Sequence, residues 1–146
     1  MLAATFGAVL VLGAVSAPVI FNANDFLVAT TLDQYNSGII MGEIFHRFSY
    51  WVYLVSFWVF LYEAVAYKSG ERDNIVLASS AVVLFSSLMF SGVYSPKIIS
   101  MQVLGAEATR SDTFINIHKA AEIDFKILAI ALIVLFVRRL MLLRRA

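Results

Sequence analysis

Long apolar runs separated by short polar stretches dominate the pattern of this chain. Four runs cover residues 2–21, 46–67, 74–95 and 120–137, and a helix of roughly 17–25 such residues can cross a hydrocarbon core. Strands are not expected, because an open sheet edge would leave backbone groups unsatisfied in lipid. The pattern therefore predicts an all-α integral membrane four-helix bundle, formed by a single membrane domain over residues 1–146.

The two long connections, residues 22–45 and 96–117, also carry helical patterns. The first spaces its large side chains near helical intervals, at Phe26, Leu32, Tyr35 and Ile39. The second shows a similar pattern after Pro96. We expect amphipathic helical segments in both connections, lying along the membrane surface. Ser111 or Asp112 is predicted to cap the start of the last helix.

Composition strengthens the membrane assignment. The chain is 61% hydrophobic and 14% charged with a mean hydropathy of +0.84, whereas roughly a quarter of residues in soluble domains are charged. It has no cysteine, which excludes disulfides, thiolate metal sites, iron–sulfur clusters and cysteine nucleophiles. No nucleophile elbow, phosphate-binding loop or dinucleotide fingerprint is present, and we do not expect an enzyme.

Charge is distributed asymmetrically along the chain. Residues 1–24 carry no charged side chain, and the last nine residues hold four arginines. These four are interpreted as topology anchors and not as a nucleic-acid site: Arg138, Arg139, Arg144 and Arg145. With Lys68 and Arg72 they place six basic residues on one side, against Lys97 and Arg110 on the other. The pattern predicts both termini in the cytoplasm, and we expect a bacterial inner membrane.

Packing residues outnumber candidate chemical groups within the runs. Small residues recur in the first run, aromatic residues in the second and serines in the third. Small residues let helices approach closely in lipid, and the serines are expected to bond back to their own helix or across an interface. These features favour a non-enzymatic accessory subunit or scaffold. Its expected partners are the lipid bilayer and other membrane subunits or a second copy.

The most notable ionisable residues stand in the stretch INIHKAAEIDFK, before the fourth run. At about 100° per residue, His118, Glu122 and Lys126 share one helix face, while Asp124 points to another. Glu63, one turn from the end of the second run, is a further carboxylate that could reach the interface or Lys68.

A second histidine, His46, begins the second run and shares a helix face with Glu43, Arg47 and Tyr50. If this face meets that of His118, several chemistries are open: a divalent metal such as zinc or copper, a haem b clamped by two imidazoles, or proton transfer. The cofactor hypothesis uses His46 and His118; the metal hypothesis uses Glu43, His46, His118, Glu122 and Asp124.

The pattern favours a structural interpretation of the same residues, a polar network with Glu43–Arg47 and Glu122–Lys126 as local ion pairs. A third function, a small proton-coupled transporter, would rely on Glu63 and Asp124. The sequence alone leaves all of these open.

The order of motifs resembles the transmembrane protein 205-like family. SAPVIF is similar to the end of that family's first helix, NSGIIMGEIFHRFSYW to the stretch leading into its second, YSPKI to the proline that closes its third, and FINIHKAAEID to the start of its fourth. The resemblance implies a four-helix membrane protein without an established reaction. His46 stands where the family often has proline, and Asp124 where it often has asparagine.

Overall fold

Helices follow one another through the computed structural model, which describes residues 1–27 and 32–144. Within these ranges they are α1 Leu2–Phe21, α2 Gln34–Lys68, α3 Asn74–Val103, α4 Ala106–Thr109 and α5 Asp112–Leu143, with a 3₁₀ turn at Ala23–Asp25. The described ranges contain no strand. Residues 28–31 of the first long connection and the predicted anchor Arg145 lie outside them.

Three helices, α1, α2 and α3, are long and apolar enough to cross a membrane. Together with α5, they form an all-α membrane bundle, as the sequence predicts. Every stretch of 18 residues in α5 contains more than two charged side chains, so α5 is less apolar by composition. The crossing of the fourth run, residues 120–137, stays a prediction.

The described parts of both long connections are largely helical because the spanning helices extend into them. Helix α2 begins at Gln34, where the Asp33 carboxylate accepts a hydrogen bond from the Asn36 N–H at 2.7 Å. The predicted second run is therefore the later part of a longer helix. Ser111 caps α5 by accepting from the Phe114 N–H at 3.2 Å, which confirms one of the two predicted caps.

Each proline of the chain follows a π-helical segment, and neither ends its helix. In α1, Val11–Ser16 is π-helical and precedes Pro18; in α3, Phe90–Tyr94 is π-helical and precedes Pro96. The expectation that Pro96 closes the third helix is wrong. Proline removes one N–H donor and crowds the preceding turn, and a wider π turn accommodates both effects.

The core of the bundle is built around α5. Leu128, Leu132 and Leu135 of this helix are 0–1% exposed. They belong to one cluster with valines from the other three long helices: Val9, Val55, Val59, Val76 and Val83. The β-branched valines and γ-branched leucines fill this interior closely. Helix α5 is therefore the central helix, and α1 is peripheral.

A cluster of aromatic rings forms another part of the same core. Phe125 of α5 lies 5.3 Å from the Phe45 ring of α2 and 5.1 Å from the Phe90 ring of α3, measured between centroids. Phe45 and Phe90 themselves meet edge to face at 5.6 Å. Because each ring comes from a different helix, the cluster fixes α2, α3 and α5 relative to one another.

Candidate functional site

Charged side chains from three parts of the chain meet at one end of the bundle, here called the arginine end and defined by Asp73, Arg138 and Arg139. Arg139 of α5 donates from Nε to Glu63 at 3.0 Å, makes a second bond to the same carboxylate, and donates to Glu71 at 2.6 Å. Only 13% of the Arg139 side chain and 11% of the Glu63 side chain are exposed. The Tyr62 ring lies 4.9 Å from the guanidinium and adds a cation–π contact.

Glu63 was expected to reach the interface or Lys68. The structure instead pairs it with Arg139, a residue that is 76 positions away in the sequence. Arg138 makes the parallel contact, donating from Nε and Nη2 to Asp73 at 3.1 and 2.5 Å. Two of the predicted topology anchors are therefore also paired with carboxylates. They bind α5 to the last part of α2 and to the segment that joins α2 and α3.

The histidine end, defined by His46 and His118, lies at the other end of the bundle. The His46 Nε2 atom is 3.3 Å from the Tyr50 hydroxyl one turn along α2. On the same helix, Arg47 donates to Glu43 at 2.7 Å, with both side chains more than half exposed. The predicted Glu43–Arg47 ion pair is confirmed, and this carboxylate already has a partner.

The His118 face of α5 has the same character. The His118 ring stacks on Phe114 one turn earlier, with centroids 5.9 Å apart and planes 10° from parallel. Lys126 donates to Glu122 at 2.6 Å in an exposed pair, as predicted. Within residues 1–27 and 32–144, no group of three or more metal-ligand side chains is close enough to hold an ion. The metal and haem hypotheses receive no support from this geometry.

A buried glutamine near the histidine end was missed in the sequence. Gln102, 8% exposed, donates from Nε2 to the Gly38 carbonyl at 2.8 Å, and its own backbone carbonyl accepts from the Tyr35 hydroxyl at 2.7 Å. A Cβ at Gly42 would lie 2.5 Å from Gln102 Oε1. The sequence feature that indicates this contact is the four-residue spacing of Gly38 and Gly42, which is typical of closely packed helices.

Asp124 is separated from the rest of the acidic residues. It is 8% exposed, and the Ser86 hydroxyl of α3 is a hydrogen-bond partner of its carboxyl. The Oδ2 atom is buried without a hydrogen-bond partner, as are the Ser91 and Ser95 hydroxyls. The structure therefore places Asp124 against α3, apart from the Glu122–Lys126 pair with which the metal hypothesis grouped it.

Comparison with known families places these contacts in context. A family described as Domain of unknown function (DUF4149) matches residues 1–107. The chain belongs to the DUF4149 family. Searches of curated proteins and of solved structures give no match.

The DUF4149 match covers α1, α2 and α3 and ends within α4, so all of α5 lies beyond it. Each ion pair of the arginine end joins a carboxylate inside the matched region to an arginine outside it. The buried Asp124 also lies outside the match and its partner Ser86 inside. In this member of the DUF4149 family, α5 therefore supplies half of every such contact.

The serines of the DUF4149 region divide into two groups. Ser79 and Ser80 donate to backbone carbonyls of their own helix, at 2.7 and 3.1 Å, as the sequence predicts. Ser91 and Ser95 are also buried, at 3% and 5% exposed, and their hydroxyls have no hydrogen-bond partner.

Proposed function

We propose that this DUF4149 protein is a non-enzymatic multipass membrane protein that packs in the bilayer against other membrane chains, as an accessory subunit or scaffold. The observation that carries this proposal is the exposure of α1. Only 11% of its most apolar stretch is buried within the chain. A helix that contributes so little to its own core retains most of its surface for contacts in the bilayer.

The exposed face of α1 is rich in small residues. Ala3 and Ala14 are exposed, and a Cβ added at Gly7 would meet nothing within 4 Å. In lipid, helices associate through close backbone approach and van der Waals packing, since the apolar surface gains little by leaving lipid tails. Small residues left open on α1 support packing against a helix from another chain.

Cross-linking through introduced cysteines tests this proposal directly, because the chain has no cysteine of its own. Ala14→Cys places a thiol on the exposed face, and Val9→Cys places one in the core, where Val9 is 3% exposed. We expect a thiol-specific cross-linker to join A14C, but not V9C, to a second copy or to a co-purifying membrane subunit. Native mass measurement in mild detergent should show the same larger particle. A monomeric particle with no cross-link from either variant would contradict the proposal.

We also propose that the arginine end faces the cytoplasm of a bacterial cell. The support is the positive charge of this end, where the exposed Arg144 adds to Arg138, Arg139 and the basic residues of the α2–α3 connection. Ser69→Cys and Thr113→Cys place exposed thiols at opposite ends of the bundle. With a membrane-impermeant maleimide on intact cells, T113C should be labelled and S69C protected. Labelling of S69C alone would indicate the opposite orientation and contradict the proposal.

The narrower kinship with transmembrane protein 205-like proteins is a proposal too. Its support is that SAPVIF, NSGIIMGEIFHRFSYW and YSPKI all fall inside the region matched by the family. A structure of such a relative provides the test. A π turn before its third-helix proline, with the helix continuing beyond it, would support the kinship, and a helix that stops at the proline would count against it.

A further inference from the structure

We propose that Asp124, beside the Ser86 hydroxyl, forms a proton-binding site in the interior of the bundle. The carboxyl holds one proton and stays neutral while it is enclosed. This inference does not depend on the accessory role of the protein. It rests on the depth and burial of the Asp124 carboxyl and on the lack of a charged partner for it among the described residues.

The depth of the site follows from the Asp73–Arg138 pair, which aligns the antiparallel helices α3 and α5. Ser86 stands 13 positions after Asp73, and Asp124 stands 14 positions before Arg138. At roughly 1.5 Å per residue, both lie about 20 Å from the arginine end. This depth is inside a hydrocarbon core of about 30 Å, and it explains why Asp124 and Ser86 can contact each other.

No charged partner from the surrounding helices faces Asp124. Helix α1 carries no charged side chain, and α3 carries none from Asn74 to Ser95. On α2, Glu43 and Arg47 pair with each other at the surface. On α5 itself, Glu122 and Lys126 do the same.

The titratable groups toward the histidine end also include two imidazoles and a phenol. His46 contacts the Tyr50 hydroxyl at 3.3 Å, and His118 stacks on Phe114. The Tyr53 hydroxyl of α2 lies 3.3 Å from the position of a Cβ at Gly92, beside Ser91. A charged carboxylate would be enclosed among neutral groups alone, and an enclosed charge without a partner is strongly disfavoured relative to the neutral acid.

The polar atoms around Asp124 fit a proton better than a metal ion. A neutral carboxyl has one O–H donor, and hydroxyl oxygens can accept from it. The Oδ2 atom of Asp124 has no hydrogen-bond partner, so it can carry the proton of the neutral acid. Among the described residues, Asp124 belongs to no group of three or more metal-ligand side chains.

Infrared difference spectroscopy of the protein in lipid vesicles tests the proposal. At neutral pH the wild type should show the carbonyl band of a protonated carboxylic acid, and Asp124→Asn should lose this band. The matched control is Glu122→Gln, which removes an exposed carboxylate two residues away and should keep it. An acid band that persists in D124N, or its absence from the wild type, overturns the proposal. Carboxylate bands that shift when sodium is replaced by choline would assign the site to a cation instead.

A second measurement needs only the wild-type protein. In lipid, the O–H of a protonated carboxyl adds across one C=N bond of an apolar carbodiimide to give an O-acylisourea. An O-to-N acyl shift then leaves a stable N-acylurea with no leaving group. Peptide mapping at neutral pH should locate one adduct at Asp124, with labelling suppressed as the pH rises. An adduct confined to another carboxyl would contradict the proposal, whether or not the D124N variant folds.

Discussion

Asp73 caps the first turn of α3 and, with the same carboxylate, binds Arg138 of α5. Its Oδ1 atom accepts from the Ile75 and Val76 N–H groups at 3.1 and 3.0 Å, while the guanidinium approaches both oxygens. The Arg138 hydrogen bond and the Val76 N–H lower the pKa of Asp73 to about 2, from an ordinary 3.8. One carboxylate thus links the start of one helix to the end of another.

This link predicts a pH dependence. Since the pKa of Asp73 is depressed in the folded protein, its contribution to stability is present above about pH 4 and is lost as the pH falls towards about 2. Asp73→Asn keeps a good N-cap but removes the charge. We expect thermal midpoints of D73N in detergent to be lower at neutral pH and less sensitive to acid between these values.

The control is Asp112→Asn, which changes an exposed acid in the first turn of α5. D112N should retain the acid sensitivity of the wild type. Asp73→Ala removes the cap as well and should be less stable than D73N. Identical acid profiles for D73N and the wild type would mean that the Arg138 pair does not stabilise the fold.

Gly42 is predicted to be intolerant of even one added methyl group. Gly42→Ala would bring Cβ to 2.5 Å from Gln102 Oε1 and force the amide away from the Gly38 carbonyl. Overpacking of this kind costs about 1–3 kcal/mol of unfolding free energy. Denaturant titration in mixed micelles, followed by circular dichroism, measures the loss.

Two further variants make the Gly42 test specific. Gly7→Ala adds the same methyl group where nothing lies within 4 Å, and it should be neutral or slightly stabilising. Gln102→Ala removes the obstructing amide, so adding G42A to it should cost less than G42A alone. Equal losses in the two backgrounds would show that Gln102 is not the obstacle.

Arg139 is predicted to be the most important ionic residue for stability. Arg139→Gln would leave Glu63, which is 11% exposed, without its cation. Breaking a largely buried pair in this way costs on the order of 3 kcal/mol. Arg47→Gln is the matched control, because that pair is exposed and should be worth less than about 1 kcal/mol.

A double-mutant cycle isolates the Arg139–Glu63 interaction. Glu63→Gln combined with R139Q replaces both charges, so the double variant should be more stable than the sum of the single losses predicts. Strictly additive losses would indicate that the two side chains act independently of each other.

Thr5 is predicted to hold α1 on α2 through Trp51. The indole N–H donates to the Thr5 hydroxyl at 3.0 Å, and that hydroxyl donates to the Met1 carbonyl. Thr5→Val keeps the shape but leaves the indole donor without this acceptor, a change worth on the order of 1 kcal/mol. Unfolding of T5V should begin at lower temperature, whereas Thr113→Val, at an exposed site, should not change the midpoint.

Fluorescence gives an independent measurement of the same contact. The chain has two tryptophans, so Trp58→Phe leaves Trp51 as the single indole reporter. Its emission should shift in T5V and stay constant in T113V. An unchanged spectrum in T5V would contradict a hydrogen bond in the folded protein.

Local chemistry made much of the architecture predictable. Apolar runs, the Ser111 cap and the i, i+4 pairs Glu43–Arg47 and Glu122–Lys126 all depend on residues within about one turn of each other. Helical periodicity also separated Asp124 from His118 correctly, because side-chain direction repeats every 3.6 residues. The histidine and metal hypotheses required contacts between distant helices, which periodicity cannot supply.

The sequence by itself determined that this protein is an all-α membrane protein, because hydropathy and helix geometry act locally along the chain. The tertiary structure determined which side chains contact each other. It paired Glu63 with Arg139 and Asp73 with Arg138, seated Gln102 over Gly42, and enclosed Asp124 against Ser86. Each of these contacts depends on how antiparallel helices are aligned in depth and rotation, and that alignment is set by packing of the whole core.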